Sequence, residues 1–178
     1  SQGGRTRTTA TPTSVNNRLR FGFCSCNHYE QGYFTAFRHM VEEDLDVVFH
    51  LGDYIYEYEG NKDRVRMHTY REIETLEDYR NRYGLYKSDP DLQAIHAAVP
   101  FVVTWDDHEV DNNYAGDISE RADPLDRFLL RRANAYQAYY EHMPLRRASL
   151  PQGPDMRLYR SLSYGQLAGF FVLDTRQY

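Results

Sequence analysis

The chain has 178 residues, 41% hydrophobic and 26% charged, which fits one globular domain or a large piece of one. A formal net charge of −5 argues against a general nucleic-acid-binding surface, and no apolar run approaches membrane-spanning length. No signal peptide is visible, although a processed, mature chain would look the same. Tyrosine is abundant, with 16 copies, and most read as structural: the ring fills a core edge while the hydroxyl stays paired.

Residues 1 to about 17 are Gly, Thr, Ser and Arg with little that could build a core, and read as a linker or arm. A strand is expected over Leu19–Cys26, which would put Cys24 and Cys26 on one face. A disulfide between positions i and i+2 of a strand is geometrically poor, so at least one of the two reads as a ligand or a buried thiol. Phe34, Phe37, Met40 and Val41 form a helical stripe within 32–43, and a second strand follows over Asp46–Leu51. Strand–helix–strand at these lengths is a βαβ unit with parallel strands.

Residues 59–66 read as a polar loop able to shape a pocket rim. A helix is expected over 70–86 and a shorter one over 91–98, the latter capped by Ser88-Asp89-Pro90. A third strand, Val99–Trp105, empties into Asp106-Asp107-His108-Glu109. Residues 111–126 read as a polar loop, 128–142 as an amphipathic helix stopped at Met143-Pro144, and 157–164 with 167–174 as a β-hairpin.

The chemistry collects where strands end. The second strand runs through Gly52 into Asp53, with Tyr56 three residues on; the third runs into Asp107 and His108. In open α/β sheets ligands bind outside the carboxyl ends of the strands. Cys26, Asp53, Tyr56 and Asp107 together form an anionic set that repels itself unless cations are present. Phenolate and thiolate suit an oxophilic iron, and carboxylates suit Ca²⁺, Mg²⁺ or Mn²⁺. Two metals bridged by Asp53 would clamp both oxygens of an in-line displacement and lower the pKa of a bound water, a design that serves phosphoester hydrolysis. Asn112 and Asn113 read as turn formers or as phosphate or metal contacts, and Arg176 as a phosphate clamp or a surface arginine. The remaining histidines, His28, His39, His50, His68, His96 and His142, read as structural, His50 being the nearest to the site in sequence. Two competing readings are a non-catalytic calcium-binding α/β module, which would have no use for Tyr56 or Cys26, and a nucleotide-binding domain, which lacks any glycine-rich phosphate loop.

Phe23-Cys24-Ser25-Cys26-Asn27, His50-Leu51-Gly52-Asp53-Tyr54-Ile55-Tyr56-Glu57, Thr104-Trp105-Asp106-Asp107-His108-Glu109-Val110 and Leu173-Asp174-Thr175-Arg176-Gln177 resemble the motifs of PhoD-type alkaline phosphatases, in order and over nearly the whole chain. The Gly52–Asp53–Tyr56 pattern is also similar to the iron-tyrosinate site of purple acid phosphatases. Asp107-His108-Glu109 resembles the Gly-Asn-His-Glu loop of the wider metallophosphatases, with Asp107 at the asparagine position. The resemblance implies an α/β fold of the four-layer αββα metallophosphatase type, of which this chain is the N-terminal half. It implies Fe³⁺ held by Cys26, Asp53 and Tyr56, Ca²⁺ bridged through Asp53 (with Mn²⁺, Mg²⁺ or Zn²⁺ as alternative second ions), and phosphoryl contacts from His108 and Asn112 or Asn113. It also implies secretion through the twin-arginine route, to an extracellular or periplasmic location. The relatives include a secreted actinobacterial phospholipase D outside the His-Lys-Asp group, so phosphodiesters and phospholipids join monoesters as expected substrates. Such enzymes carry a β-sandwich domain before this region and further Asp and His ligands after it. The expected partner is therefore a C-terminal segment or chain of the same enzyme, without which residues 18–178 are expected to be inactive.

Overall fold

The computed structural model describes residues 6, 10–58, 63–68 and 71–178. Three parallel strands, β1 (Phe21–Cys24), β2 (Val47–His50) and β3 (Phe101–Val103), form a sheet in the order β1-β2-β3, and the antiparallel pair β4 (Arg160–Tyr164) and β5 (Ala168–Val172) forms a hairpin. Helix α1 (Thr35–Glu42) connects β1 to β2, and α2 (Leu76–Tyr86) with α3 (Pro90–Ala98) connects β2 to β3. Strands added in one direction through right-handed crossovers place their helices on a single face, and α1 packs on α3 accordingly. Helix α4 (Leu125–His142) packs on α2 in the same layer. The hairpin takes the other face, where Phe170 meets Phe49 at 4.7 Å and Phe21 at 6.1 Å between ring centroids.

This layering explains the burial along the strands. Val48, His50, Phe101 and Val103 point to the helices and are buried, whereas Phe49 and Val102 face the hairpin and are only half-buried. A cleft of about 300 Å³ lies between sheet and hairpin, lined by Phe49, Leu51, Val102, Phe170 and Val172 among others. Phe23, Phe171 and Leu173 remain 65–79% exposed on this side. Helix, sheet and hairpin are thus three layers of the expected four-layer plan.

Several boundaries differ from those read in the sequence. The first strand ends at Cys24, and Cys26 lies past it with φ 59°, so the two cysteines do not share a strand face. Helix α2 starts at Leu76, because Thr75 accepts from the Asp78 N–H at 3.2 Å while Asp78 accepts from the Thr75 N–H at 3.1 Å, a reciprocal cap. Ile73 is buried ahead of the helix, and Tyr70 lies outside the described residues, as do 59–62 of the expected rim loop and 1–5 and 7–9 of the arm. Asp89 caps α3 with Pro90 in its first turn, as expected. Helix α4 begins three residues early, at Leu125, directly after Pro124. The last residues of the arm are tied down: Gln166 donates to the Ser14 carbonyl at 3.0 Å, across the hairpin turn.

The tyrosines of α2 recur at helical spacing, and Tyr79, Tyr83 and Tyr86 are completely buried. Tyr79 donates to the Val110 carbonyl at 2.5 Å and receives Arg131 Nε at 3.0 Å, which ties α2 and α4 to the chain just after β3. Trp105 stacks on Tyr136 of α4 at 4.3 Å and donates to Asp174 at 2.9 Å. The junctions leaving β3 and β5 are therefore anchored on the helical layer.

Candidate metal centre

Gly52 permits the site to form. Its φ is +111°, and a Cβ there would lie 2.4 Å from the Asp106 backbone nitrogen and 2.7 Å from the Trp105 carbonyl carbon. The ends of β2 and β3 therefore touch, backbone to backbone, which a side chain would prevent. Glu109 joins the same two junctions. Its buried carboxylate accepts from the Tyr54 N–H at 2.6 Å and the Asp106 N–H at 2.9 Å. Burial raises its pKa to about 8, against the pull of those N–H donors. The chain after β1 joins next: the N–H groups of Cys26 and Asn27 donate to the carbonyls of Gly52 and Asp53 at 3.1 and 3.2 Å.

Three strand ends are thereby fused, and their side chains converge. Ligand atoms of Asp53, Asp107 and His108 all lie within 4.8 Å of one another. The Tyr56 hydroxyl donates to Asp53 Oδ2 at 3.2 Å, and the Cys26 thiol neighbours both Asp53 and Tyr56. Cys26, Asp53 and Asn113 all have φ between 54° and 59°, the left-handed region that non-glycine residues rarely adopt. Strained backbone held in place by its surroundings gathers at functional sites.

The electrostatics call for cations. Asp53 is buried and its Oδ1 has no hydrogen-bond partner. Burial raises the Asp53 carboxyl, with nearby Asp107 and Asp106 adding to the rise against the pull of His108 and the thiol. Burial and Asp53 raise the Tyr56 phenol well above its ordinary value, and burial is the first cause of the rise at Cys26 too. The protein alone thus disfavours the anionic forms that ligate metals. Carboxylate, phenol, thiol and imidazole donors with an orphaned buried oxygen fit a metal centre, because a bound cation reverses every one of these penalties.

His108 shifts the other way, toward its charged form. Burial lowers it, but Glu57, accepting from Nδ1 at 2.7 Å, outweighs burial together with Asp53 and Asp107 and raises its pKa. That bond leaves Nε2 as the free ring nitrogen. The other Glu57 oxygen accepts from the Asn112 N–H at 2.9 Å, and Asp107 Oδ2 accepts from the Asn113 N–H at 2.6 Å, so the asparagine loop hangs from the cluster. Both asparagine side-chain amides donate to Glu120, that of Asn113 at 3.1 Å. Arg131 anchors the loop from below, gripping Asp111 at 2.8 Å and Glu72 at 3.0 Å.

Of the residues singled out in the sequence, Asp53, Asp107 and His108 converge, Tyr56 and the exposed Cys26 neighbour Asp53, and Asn112 and Asn113 stand at the edge. Arg176 is placed differently from a free phosphate clamp. Its guanidinium is engaged by Asp106 at 2.5 Å and Asp107 at 3.1 Å, because those carboxylates face it across the β3 and β5 junctions. His50 is also turned away, bonding Asn27 at 2.5 Å and receiving the Gly52 N–H. Two neighbours of the cluster escaped sequence reasoning. Glu57 stands in the same motif as Asp53, one residue past Tyr56, a position that could have flagged it. His28 lies two residues past Cys26 and packs against Tyr56 at 4.2 Å with a tilt of 39°, which nothing in its spacing announced.

A parallel α/β sheet whose carboxyl ends carry this cluster has a candidate metal centre where ligands bind in such folds. The chain belongs to the PhoD-like phosphatase family, whose model matches residues 21–178. It is 59% identical over 180 aligned positions to alkaline phosphatase D of Bacillus subtilis (strain 168), covering 98% of this chain and 31% of that protein. It superposes on a solved structure of PhoD with a TM-score of 0.95 at 59% identity, covering 98% of this chain and 34% of that one. The chain thus spans about a third of the relatives it matches.

Proposed function

We propose that this chain is the N-terminal part of the catalytic domain of a metal-dependent phosphoesterase that hydrolyses phosphate monoesters or diesters, phospholipids included. The observation that carries the reading is the convergence of Asp53, Asp107 and His108 donors within 4.8 Å around a buried, unpartnered carboxylate oxygen. Cys26, Asp53 and Tyr56 would hold Fe³⁺; Asp53 and Asp107 would hold the second ion, Ca²⁺. Bound there, the metals would supply Lewis-acid stabilisation of phosphoryl charge and a nucleophile at neutral pH. His108, its Nδ1 bonded to Glu57, would offer Nε2 to the phosphoryl group. Asn112 and Asn113 border the phosphoryl position, their backbone fixed by Glu57 and Asp107. Arg176 acts through Asp107, holding that carboxylate against the cluster.

The exposed apolar residues Phe23, Phe171 and Leu173 and the adjoining cleft suit a C-terminal segment of the same enzyme, which would complete the fourth layer and contribute further ligands. Residues 1–17 then follow a preceding β-sandwich domain. The 178-residue chain by itself should be inactive, and full turnover by it would remove this part of the reading. The extracellular or periplasmic location rests on the family resemblance; no helix among the described residues is long and apolar enough to cross a membrane.

The test is hydrolysis of p-nitrophenyl phosphate and bis(p-nitrophenyl) phosphate by the intact protein, before and after chelation. Chelation should abolish turnover of whichever ester is used, and Asp53→Asn should lower kcat/KM by at least about 100-fold. Turnover that survives both treatments would overturn the proposal.

A further inference from the structure

His28 sits where a metal-site residue would not be sought, since its ring ligates nothing in the cluster. Its position is nonetheless closely specified. Nδ1 accepts the Glu30 N–H at 3.2 Å, and the His28 backbone N–H donates to the Cys26 carbonyl at 3.1 Å, so the turn that carries the thiol also carries this imidazole. His68 backs the ring at 5.4 Å, nearly parallel at 21°. His68 is itself fixed, through Nε2 and the Tyr86 hydroxyl at 2.9 Å and through Nδ1 and the Tyr58 carbonyl at 2.8 Å.

The same ring meets Tyr56, with 4.2 Å between centroids and a tilt of 39°. His108 meets the same phenol at 4.3 Å and 34°. The two imidazoles make no ring contact with each other among the described residues, so they flank the phenol. Tyr58 closes a third side, edge-on at 5.9 Å. A tyrosine side chain has two rotatable bonds, and walls on both sides of the ring leave little room for either. The hydroxyl is thereby kept 3.2 Å from Asp53 Oδ2.

We propose that His28 is a positioning residue for the Tyr56 phenol: its ring, with that of His108, holds the phenol in ligating orientation before any metal binds. The inference rests on the reading of Tyr56 as a ligand. Partners that orient metal ligands contribute about 10–100-fold to metal affinity. A residue that merely filled the core would alter stability and leave the ligand's electronic signature alone.

The experiment titrates the intact protein with ferric ion presented as its citrate complex, recording affinity and the visible phenolate-to-iron band. It uses the wild type, His28→Ala, His28→Phe, Tyr56→Phe and the double variant His28→Ala/Tyr56→Phe. His28→Ala should weaken iron binding about 10-fold or more and shift or broaden the band, and His28→Phe, which restores a ring wall, should return both toward wild type. In the Tyr56→Phe background His28→Ala should cause no further loss. Equal losses in both backgrounds, wild-type binding by His28→Ala, or no recovery with His28→Phe would each overturn the inference. Unchanged iron binding by Tyr56→Phe would instead remove the ligand assignment on which it rests.

Discussion

Replacing Gly52 with alanine tests how the site is assembled, because one added methyl group meets two independent obstacles. The first is steric. The new Cβ would fall 2.4 Å from the Asp106 backbone nitrogen and 2.7 Å from the Trp105 carbonyl carbon, and backbone atoms cannot swing aside as a side chain can. Overpacking of this kind costs about 1–3 kcal/mol. The second is conformational: φ is +111°, a region closed to alanine, and such strain costs about 1–3 kcal/mol more. Together they predict a loss of about 3 kcal/mol or more in urea unfolding of the intact protein. Metal should be lost as well, since separating the β2 and β3 junctions pulls Asp53 from Asp107. Gly84→Ala is the matched control. Gly84 lies exposed in α2 with nothing within 4 Å of its added Cβ, so the same change should stabilise by about 0.5–1 kcal/mol. If Gly52→Ala unfolds within 0.5 kcal/mol or so of wild type, the junction is not closed by backbone contact and the reasoning fails.

His50 is wholly buried and uncharged, its pKa pushed down to about 3 by burial. The unfolded chain takes up the proton near pH 6.5 and the folded chain does not, so the stability contributed above that pH is lost as pH falls toward 3. The stability difference between wild type and His50→Gln should therefore shift by about 2 kcal/mol against wild type from pH 7.5 to pH 5, and a difference that does not change with pH would contradict the burial argument. Glu57→Gln keeps an acceptor for the Asn112 N–H but removes the charge beside His108; kcat should fall about 10–100-fold and the His108 pKa, followed by NMR, should drop. Arg131→Ala strands Asp111 in the interior and should cost about 3–5 kcal/mol in urea unfolding, whereas breaking an exposed pair such as Arg80–Glu141 should leave the unfolding midpoint nearly unchanged.

The parallel strands, the βαβ order and the hairpin were legible because apolar runs of strand length alternate with helical stripes. The gathering of Asp53, Asp107 and His108 at the strand ends was legible because Gly52-Asp53 and Asp107-His108 each follow such a run closely. What stayed hidden is set by contacts distant in sequence. The late start of α2 comes from a local reciprocal cap, Thr75 with Asp78, that the longer apolar pattern obscured. Arg176 was ambiguous because its partners, Asp106 and Asp107, stand about 70 residues earlier. His28 looked structural because its contact with Tyr56 arises only when the β1 and β2 junctions are joined through the Cys26 and Asn27 N–H groups. A histidine's spacing along the chain says nothing of such a meeting.

The most direct measurement is the metal content and visible absorption of the intact protein as isolated, beside Tyr56→Phe and Cys26→Ser. The account predicts iron near one equivalent, with a visible phenolate-to-iron band that vanishes in Tyr56→Phe, and calcium as the second ion. A colourless protein holding calcium alone would contradict the assignment of Cys26, Asp53 and Tyr56 to iron.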